Sequence, residues 1–130
     1  MKYLWNKERA DKQFSIYIRN RDKRCMNPSC QYGYSRYAPV EVLQCSHYWG
    51  RGILISRYDP DNCFALCGEC HKMWENTKQG RYKEVMIRWL GVKRYNALRR
   101  RVEKYQHQGI PYITWNDAIK KCREFLTTKV

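Results

Sequence analysis

The sequence predicts an α+β fold: a core of two short strands and one helix, preceded by a helix and followed by a helical C-terminal third. Three observations carry this. Apolar residues recur at helical spacing near the N-terminus and again between Tyr82 and Leu126. Between these stretches lie two short runs suited to strands, Val40 to Cys45 and Cys63 to Leu66, separated by turn-rich chain. Two close cysteine pairs bracket those runs, Cys25 with Cys30 and Cys67 with Cys70.

At 130 residues the chain reads as a single domain, with an N-terminal helix over 1–22, the core over 23–79 and the helical region over 80–130. In the first helix, Ala10, Phe14, Tyr17, Ile18 and Arg21 share a face, and Lys and Arg occupy the other. The run Cys25-Met26-Asn27-Pro28-Ser29-Cys30 then turns, because Pro28 lacks the amide hydrogen a helix needs. Residues 31–39, with Gly33 and Pro39, read as loop or irregular hairpin. Val40 to Cys45 is rich in β-branched residues and leads into His47. From 48 to 60 no period is visible; Gly50, Gly52 and Asp59-Pro60-Asp61 predict a long loop. Cys63-Phe64-Ala65-Leu66 is the second strand. A helix starting at Gly68 or Glu69 carries Cys70, His71 and Trp74.

Downstream, Tyr82, Val85, Met86, Trp89 and Leu90 form an apolar stripe that Gly91 interrupts. Val92, Tyr95, Leu98, Val102 and Tyr105 form another, stopped by Gly109 and Pro111. The last helix begins at Thr114, where Thr114-Trp115-Asn116-Asp117 fits a capping box. Its buried side is Ala118, Ile119, Cys122, Phe125 and Leu126, and Cys122 there reads as a small core residue rather than a ligand.

Lys and Arg number 26 against 12 acids, a formal charge of +14. Such an excess suits a phosphate backbone, whose neutralisation releases condensed counterions. Charge alone does not separate DNA from RNA. No apolar run approaches the ~18–20 residues of a membrane span, and the N-terminus lacks the apolar stretch of a signal peptide. The expected location is the cytoplasm, where thiols stay reduced. Seven cysteines, an odd number, then read as metal ligands plus leftovers.

Zinc favours tetrahedral thiolate ligands, which short turns present at little cost to the backbone. Cys67-Gly68-Glu69-Cys70 has two intervening residues and Cys25 to Cys30 has four, so the four cysteines are candidates for a structural zinc. The 36 residues between Cys30 and Cys67 contain His47 and Asn62, and His71 directly follows Cys70. Hydrolysis of a phosphodiester needs a base to activate water and a cation to stabilise charge on the phosphate. His47 at a strand end suits the base, and His71 suits a ligand for a catalytic divalent metal (magnesium, manganese or zinc). Asn62 is placed to hydrogen-bond the loop backbone and hold His47 in place. Arg51 and Arg57 are candidates for phosphate contacts or transition-state charge stabilisation.

The His47, Asn62 and His71 spacing inside the two cysteine pairs resembles the HNH endonucleases. The resemblance is closest to the phage NinG/Rap recombination endonuclease family. It extends over roughly residues 11–105, through the segment Phe14 to Asp22, through Ser46-His47-Tyr48 with Arg51, Arg57-Tyr58-Asp59 and Asn62, and through Cys67-Gly68-Glu69-Cys70-His71. The family implies a ββα-metal (treble-clef-like) core stapled by zinc. It also implies structure-specific cutting of branched recombination intermediates such as displacement loops and Holliday junctions, in the cytoplasm of an infected bacterium for a bacteriophage protein.

Two departures stand out. NinG-like members often carry asparagine where this chain has His71. Many HNH enzymes place an acid next to the base as a metal ligand, and here that neighbour is Ser46. On a strand rising about 3.3 Å per residue, Cys45 shares a face with His47 at about 7 Å, whereas Glu41 is about 20 Å away. Cys45 is then either a soft ligand, which would favour a transition metal over magnesium, or a buried thiol with water and phosphate completing the ligand set.

Lys93, Arg94, Arg99, Arg100, Arg101 and Lys104 either track DNA backbones or form the solvated side of an amphipathic helix. Symmetric cutting of a four-way junction would favour a homodimer. Two alternatives stay open. One is a non-catalytic zinc-dependent nucleic-acid-binding module, argued by the missing acid at 46. The other is a sequence-specific HNH nuclease.

Overall fold

The computed structural model describes residues 5–76 and 81–128. The first four residues of the expected N-terminal helix, and the expected core boundary at 79–80, lie outside the described residues. Among the described residues are six helices and one two-stranded sheet, an α+β architecture.

Helix α1 spans Lys7–Asp22. Asn6 caps it, accepting the Arg9 N–H at 2.8 Å, and Lys23 closes it in the left-handed conformation at φ 55. Ala10, Phe14 and Ile18 are buried as their spacing predicts. Arg21 lies on the same side and stays charged there. Its guanidinium donates to the carbonyls of Pro60 at 2.9 Å and Cys63 at 2.6 Å and pairs with Asp22 at 2.8 Å.

Strands β1 (Leu43–His47) and β2 (Cys63–Cys67) pair antiparallel, with His47 opposite Cys63 and Leu43 opposite Cys67. The first strand starts three residues later than the β-branched run suggests. Val40–Val42 instead form a 3-10 turn after Pro39; Val42 N–H bonds Pro39 O at 3.0 Å, and Arg19 donates to Val40 O at 3.2 Å. That backbone is satisfied locally, so the ladder begins only at Leu43. The expected long loop likewise holds more order than its sequence suggests. Leu54–Arg57 form a short helix α2, and Pro60–Asn62 form a second 3-10 turn. Elements this short carry no readable period.

All five residues of β2 are buried, because α1 packs along both strands and α3 (Gly68–Asn76) returns across them straight from β2. Helices α4 (Arg81–Leu90) and α5 (Val92–Gln108) are split at Gly91 alone. Its N–H ends α4 on Ile87 O at 2.7 Å and its carbonyl starts α5 through Tyr95 N–H at 3.0 Å. A φ of 84 at that joint suits glycine and few other residues. Helix α6 (Trp115–Thr127) begins with the capping box expected at Thr114. Thr114 Oγ1 accepts from Asp117 N–H, and Asp117 accepts from Thr114 N–H, both at 3.1 Å. It packs on α1, with Cys122 buried against the Ala10 carbonyl and Tyr17 meeting Phe125 edge to face at 5.2 Å. No helix among the described residues is long and apolar enough to cross a membrane.

Ser46, the neighbour of the candidate base, turns into the core. It is 1% exposed, and its hydroxyl lies 2.7 Å from that of buried Tyr82 on α4. Tyr82→Phe should therefore leave a buried hydroxyl without its partner and cost about 1–3 kcal/mol. Urea unfolding checks this: the midpoint falls while the slope stays that of the parent.

Candidate active site and metal centre

The four cysteines expected to bind zinc converge. The sulphurs of Cys25, Cys30, Cys67 and Cys70 all lie within 4.8 Å of one another, three of these residues are buried, and the Cys30–Cys67 separation is 3.8 Å. A tetrahedral site with Zn–S near 2.3 Å has sulphur–sulphur edges of about 3.8 Å, so the cluster is compatible with a structural zinc. Donors surround it as thiolates require. Asn27 Nδ2 donates to Cys70 Sγ at 3.4 Å, and the N–H groups of Cys67 and Asn27 point at Cys25. Without a cation, burial and the neighbouring sulphurs push the Cys25 thiol up to about 12 and raise that of Cys70 as well. A cation bound there would stabilise the thiolates and displace thiol protons. The first turn is tied to the fold from three sides: Met26 N–H bonds Ala65 O at 2.8 Å, Trp89 donates to Met26 O at 2.9 Å, and Arg81 donates to Ser29 Oγ at 2.7 Å.

His47 and His71 line one cavity of about 680 Å³. All five residues of β1 contribute to its wall, and successive strand side chains point to opposite faces. The cavity therefore follows the outer edge of β1, the edge β2 does not cover. Both imidazoles have one nitrogen committed. His47 Nε2–H donates to Arg57 O at 2.8 Å, leaving the Nδ1 lone pair. His71 Nδ1–H donates to Gln44 Oε1 at 2.7 Å, leaving Nε2. Burial is the main cause that pushes the His47 pKa down to about 4; the charges of Arg51 and Arg57 add to it, outweighing the bond to the Arg57 carbonyl. The ring is neutral near pH 7, the state in which Nδ1 can accept a proton. His71 is also held low by burial, with Glu75 one helical turn away opposing this.

Asn62 is fully buried and clamps the intervening loop. Its Oδ1 accepts from Trp49 N–H at 2.9 Å, and its Nδ2 donates to Trp49 O at 2.9 Å and Ser56 O at 3.0 Å. Tyr48 N–H bonds Asn62 O at 2.8 Å, so the residue after His47 is fixed from the same place. This is the role its position predicts.

The arginines divide. Arg51 is largely exposed and lines the cavity, with its Nη2 paired to Asp11 at 3.2 Å. Arg57 does not: it is 4% exposed, clasps Asp11 through Nε at 3.0 Å and Nη2 at 2.7 Å, and donates to Arg51 O. The expectation of a phosphate contact at Arg57 gives way to a structural role. Burial opposes ionisation of Asp11, yet hydrogen bonds from Arg57 and Tyr58 and the charges of both arginines hold its carboxyl below the usual range. On α5, three expected DNA contacts are occupied by ion pairs: Arg94 with Asp61, Arg101 with Asp59 at 2.7 Å, and Arg99 with Glu103 at 3.2 Å. Lys93, Arg100 and Lys104 have no ion pair among the described residues. Their spacing sets them on one solvent stripe, opposite buried Tyr95, Leu98 and Val102.

Four contributors escaped the sequence reading. Asp11 and Gln44 act through contacts that no local pattern announces. Glu75 lines the cavity one helical turn beyond His71, a spacing that could have been read. Cys63 lies with Cys45 and His47 in a second group whose ligand atoms are all within 4.8 Å of one another. Comparison with protein-family models, with curated proteins and with solved structures finds no match to this chain.

The sulphur cluster should hold one zinc per chain that survives dialysis against a weak chelator. Cys67→Ser should lose that ion and melt at lower temperature. Metal analysis with thermal melts decides, and a zinc-free parent with an unaltered Cys67→Ser melt would refute the site. The imidazole of His47 gives a further expectation. An unfolded chain binds a proton at this ring near pH 6.5, whereas the folded chain resists until about 4. Stability from this group is complete above about 6.5 and declines as the pH falls toward 4. The stability difference between parent and His47→Gln should therefore shrink across that window in urea titrations, because the variant has no such proton to take up.

Proposed function

We propose that this chain is a metal-dependent DNA endonuclease of the HNH, ββα-metal type, akin to the phage NinG/Rap enzymes. It cuts branched recombination intermediates such as displacement loops and Holliday junctions. The observation that carries the reading is the joint placement of His47 and His71 on one cavity, with the loop behind His47 fixed by fully buried Asn62. A water-activating base needs a free lone pair, a neutral ring and a fixed orientation. Arg57 O and the Asn62 clamp give His47 a free lone pair and a fixed orientation, and burial keeps the ring neutral while lowering its basicity.

In this reading His47 Nδ1 takes the proton of the attacking water. Arg51, on the cavity wall, holds a non-bridging phosphate oxygen. His71 Nε2 and the carboxylate of Glu75 are the groups suited to hold a divalent ion. When bound, that ion would neutralise charge on the phosphate and stabilise the departing oxygen. The stripe of Lys93, Arg100 and Lys104 contacts backbone phosphates. Two copies related by a twofold axis would supply the paired cuts that a four-way junction needs.

One observation favours a second reading, a zinc-dependent nucleic-acid-binding module without chemistry. Ser46 offers no acid beside the base and is spent on Tyr82. Labelled junction, displacement-loop, flap, single-strand and linear substrates, each with magnesium, manganese or zinc, separate the two. The parent should cut a branched substrate, and His47→Ala should be slower by about 100-fold to 10,000-fold, the share of a general base. Parent and variant leaving every substrate equally intact would end the enzyme reading. Equal cutting of a linear duplex and a junction of the same sequence would favour a sequence-specific nuclease.

A further inference from the structure

We propose that Cys45, His47 and Cys63 form a second metal site, for a thiophilic divalent cation such as zinc, and that its occupation switches the base off. The grouping follows from the ladder. Cys63 stands opposite His47 in the antiparallel pair, and Cys45 lies two residues back on the face that His47 occupies. Their ligand atoms lie within 4.8 Å of one another. A tetrahedral zinc with mixed sulphur and nitrogen ligands needs about 3.5–3.8 Å between them, from Zn–S near 2.3 Å and Zn–N near 2.0 Å.

Three further features fit a metal. First, His47 already donates Nε2–H to a backbone carbonyl, the arrangement that metal-binding imidazoles use to fix their tautomer. The nitrogen left is Nδ1, close to the strand where the sulphurs are. Second, the charges balance: two thiolates and a neutral imidazole cancel a dication, so the loaded site adds no net charge to a buried location. Binding releases two thiol protons to solvent and forms two metal–sulphur bonds and one metal–nitrogen bond. Third, Cys63 is fully buried while Cys45 and His47 line the cavity. The site thus has a closed floor and an open mouth. Sulphur ligands select zinc-like ions over magnesium, so this site would not compete for a magnesium ion at His71.

The functional consequence rests on the endonuclease reading. A lone pair given to a metal cannot take a proton from water, and both uses need Nδ1. Zinc at this site should therefore inhibit rather than activate, even with magnesium in excess.

The binding arm of the test is independent of cleavage. Full-length chain saturated with zinc chloride and passed through a desalting column should carry two zinc ions, one of which a weak chelator removes quickly. Cys63→Ala and Cys45→Ser should each carry one. Cobalt loading should show thiolate-to-cobalt charge transfer in the parent that exceeds that of either variant. A parent that stops at one ion, or both variants still taking two, overturns the site. Cys45 is partly exposed, so Cys45→Ser serves if the Cys63 variant does not fold. The regulatory arm reads the ratio of cleavage rates without and with zinc, in magnesium, within each protein. It should be about 100 in the parent, the share of a general base, and near 1 in the variants. Two-ion binding with unchanged or faster cleavage overturns the inhibitory role alone, whereas no cleavage under any condition counts against the endonuclease reading and leaves the binding result standing.

Discussion

The convergence of four sulphurs from residues 25–30 and 67–70 is the constraint on which the rest of this molecule depends. A two-stranded sheet is a weak organiser, since an isolated hairpin is marginally stable at best. Here the strands are gripped at the end where Leu43 pairs with Cys67, and α3 departs from the same point carrying Cys70 and His71. The turn at residues 25–30 follows directly on α1, and its Met26 N–H reaches Ala65 in mid-strand. One cluster therefore fixes the relative positions of α1, β2 and α3; α1 and α3 line the cavity together with β1, the strand that β2 pairs with.

The far end of the hairpin is organised by a different force. Asp11 on α1 accepts from Arg57, Arg51 and Tyr58, drawing together groups from a loop 40 to 47 residues away. Arg57 could not be buried alone; its charge is matched by a carboxylate in a two-point geometry and by the Arg51 carbonyl. The carbonyl of this same Arg57 receives the His47 ring. A single residue thus connects the ion pair of the loop with the tautomer of the candidate base, and the aromatic packing of Phe14 on both His47 and Tyr58 closes the arrangement.

Much of this was legible in the chain, for physical reasons. Helical periods in α1, α4, α5 and α6 reflect burial on one side, and the Thr114 capping box is a local chemical match. Short cysteine spacings announce ligand pairs, and the separation of His47, Asn62 and His71 sufficed to assign Asn62 its clamping role. What was not legible depends on partners distant in sequence. Arg57 looks like any loop arginine until Asp11 is known to face it. Arg94 and Arg101 look unpaired until Asp59 and Asp61 are found across from them. β-branched Val40 and Val42 suggest a strand, but a preceding proline and Arg19 settle the backbone in a 3-10 turn.

The burial of β2 on both faces has a consequence for how the hairpin finds its alignment. Most antiparallel pairs penalise slippage by one residue because it would turn a polar face inward. Cys63-Phe64-Ala65-Leu66-Cys67 has no polar face to misplace, so its side chains barely distinguish one alignment from the next. Correct alignment must be imposed from the two ends, by Cys67 among the sulphurs and by Asn62 beneath the loop. A shift of one position would trade the imidazole for a serine hydroxyl on the cavity side of the strand, which makes the anchors guardians of the candidate site as much as of the fold.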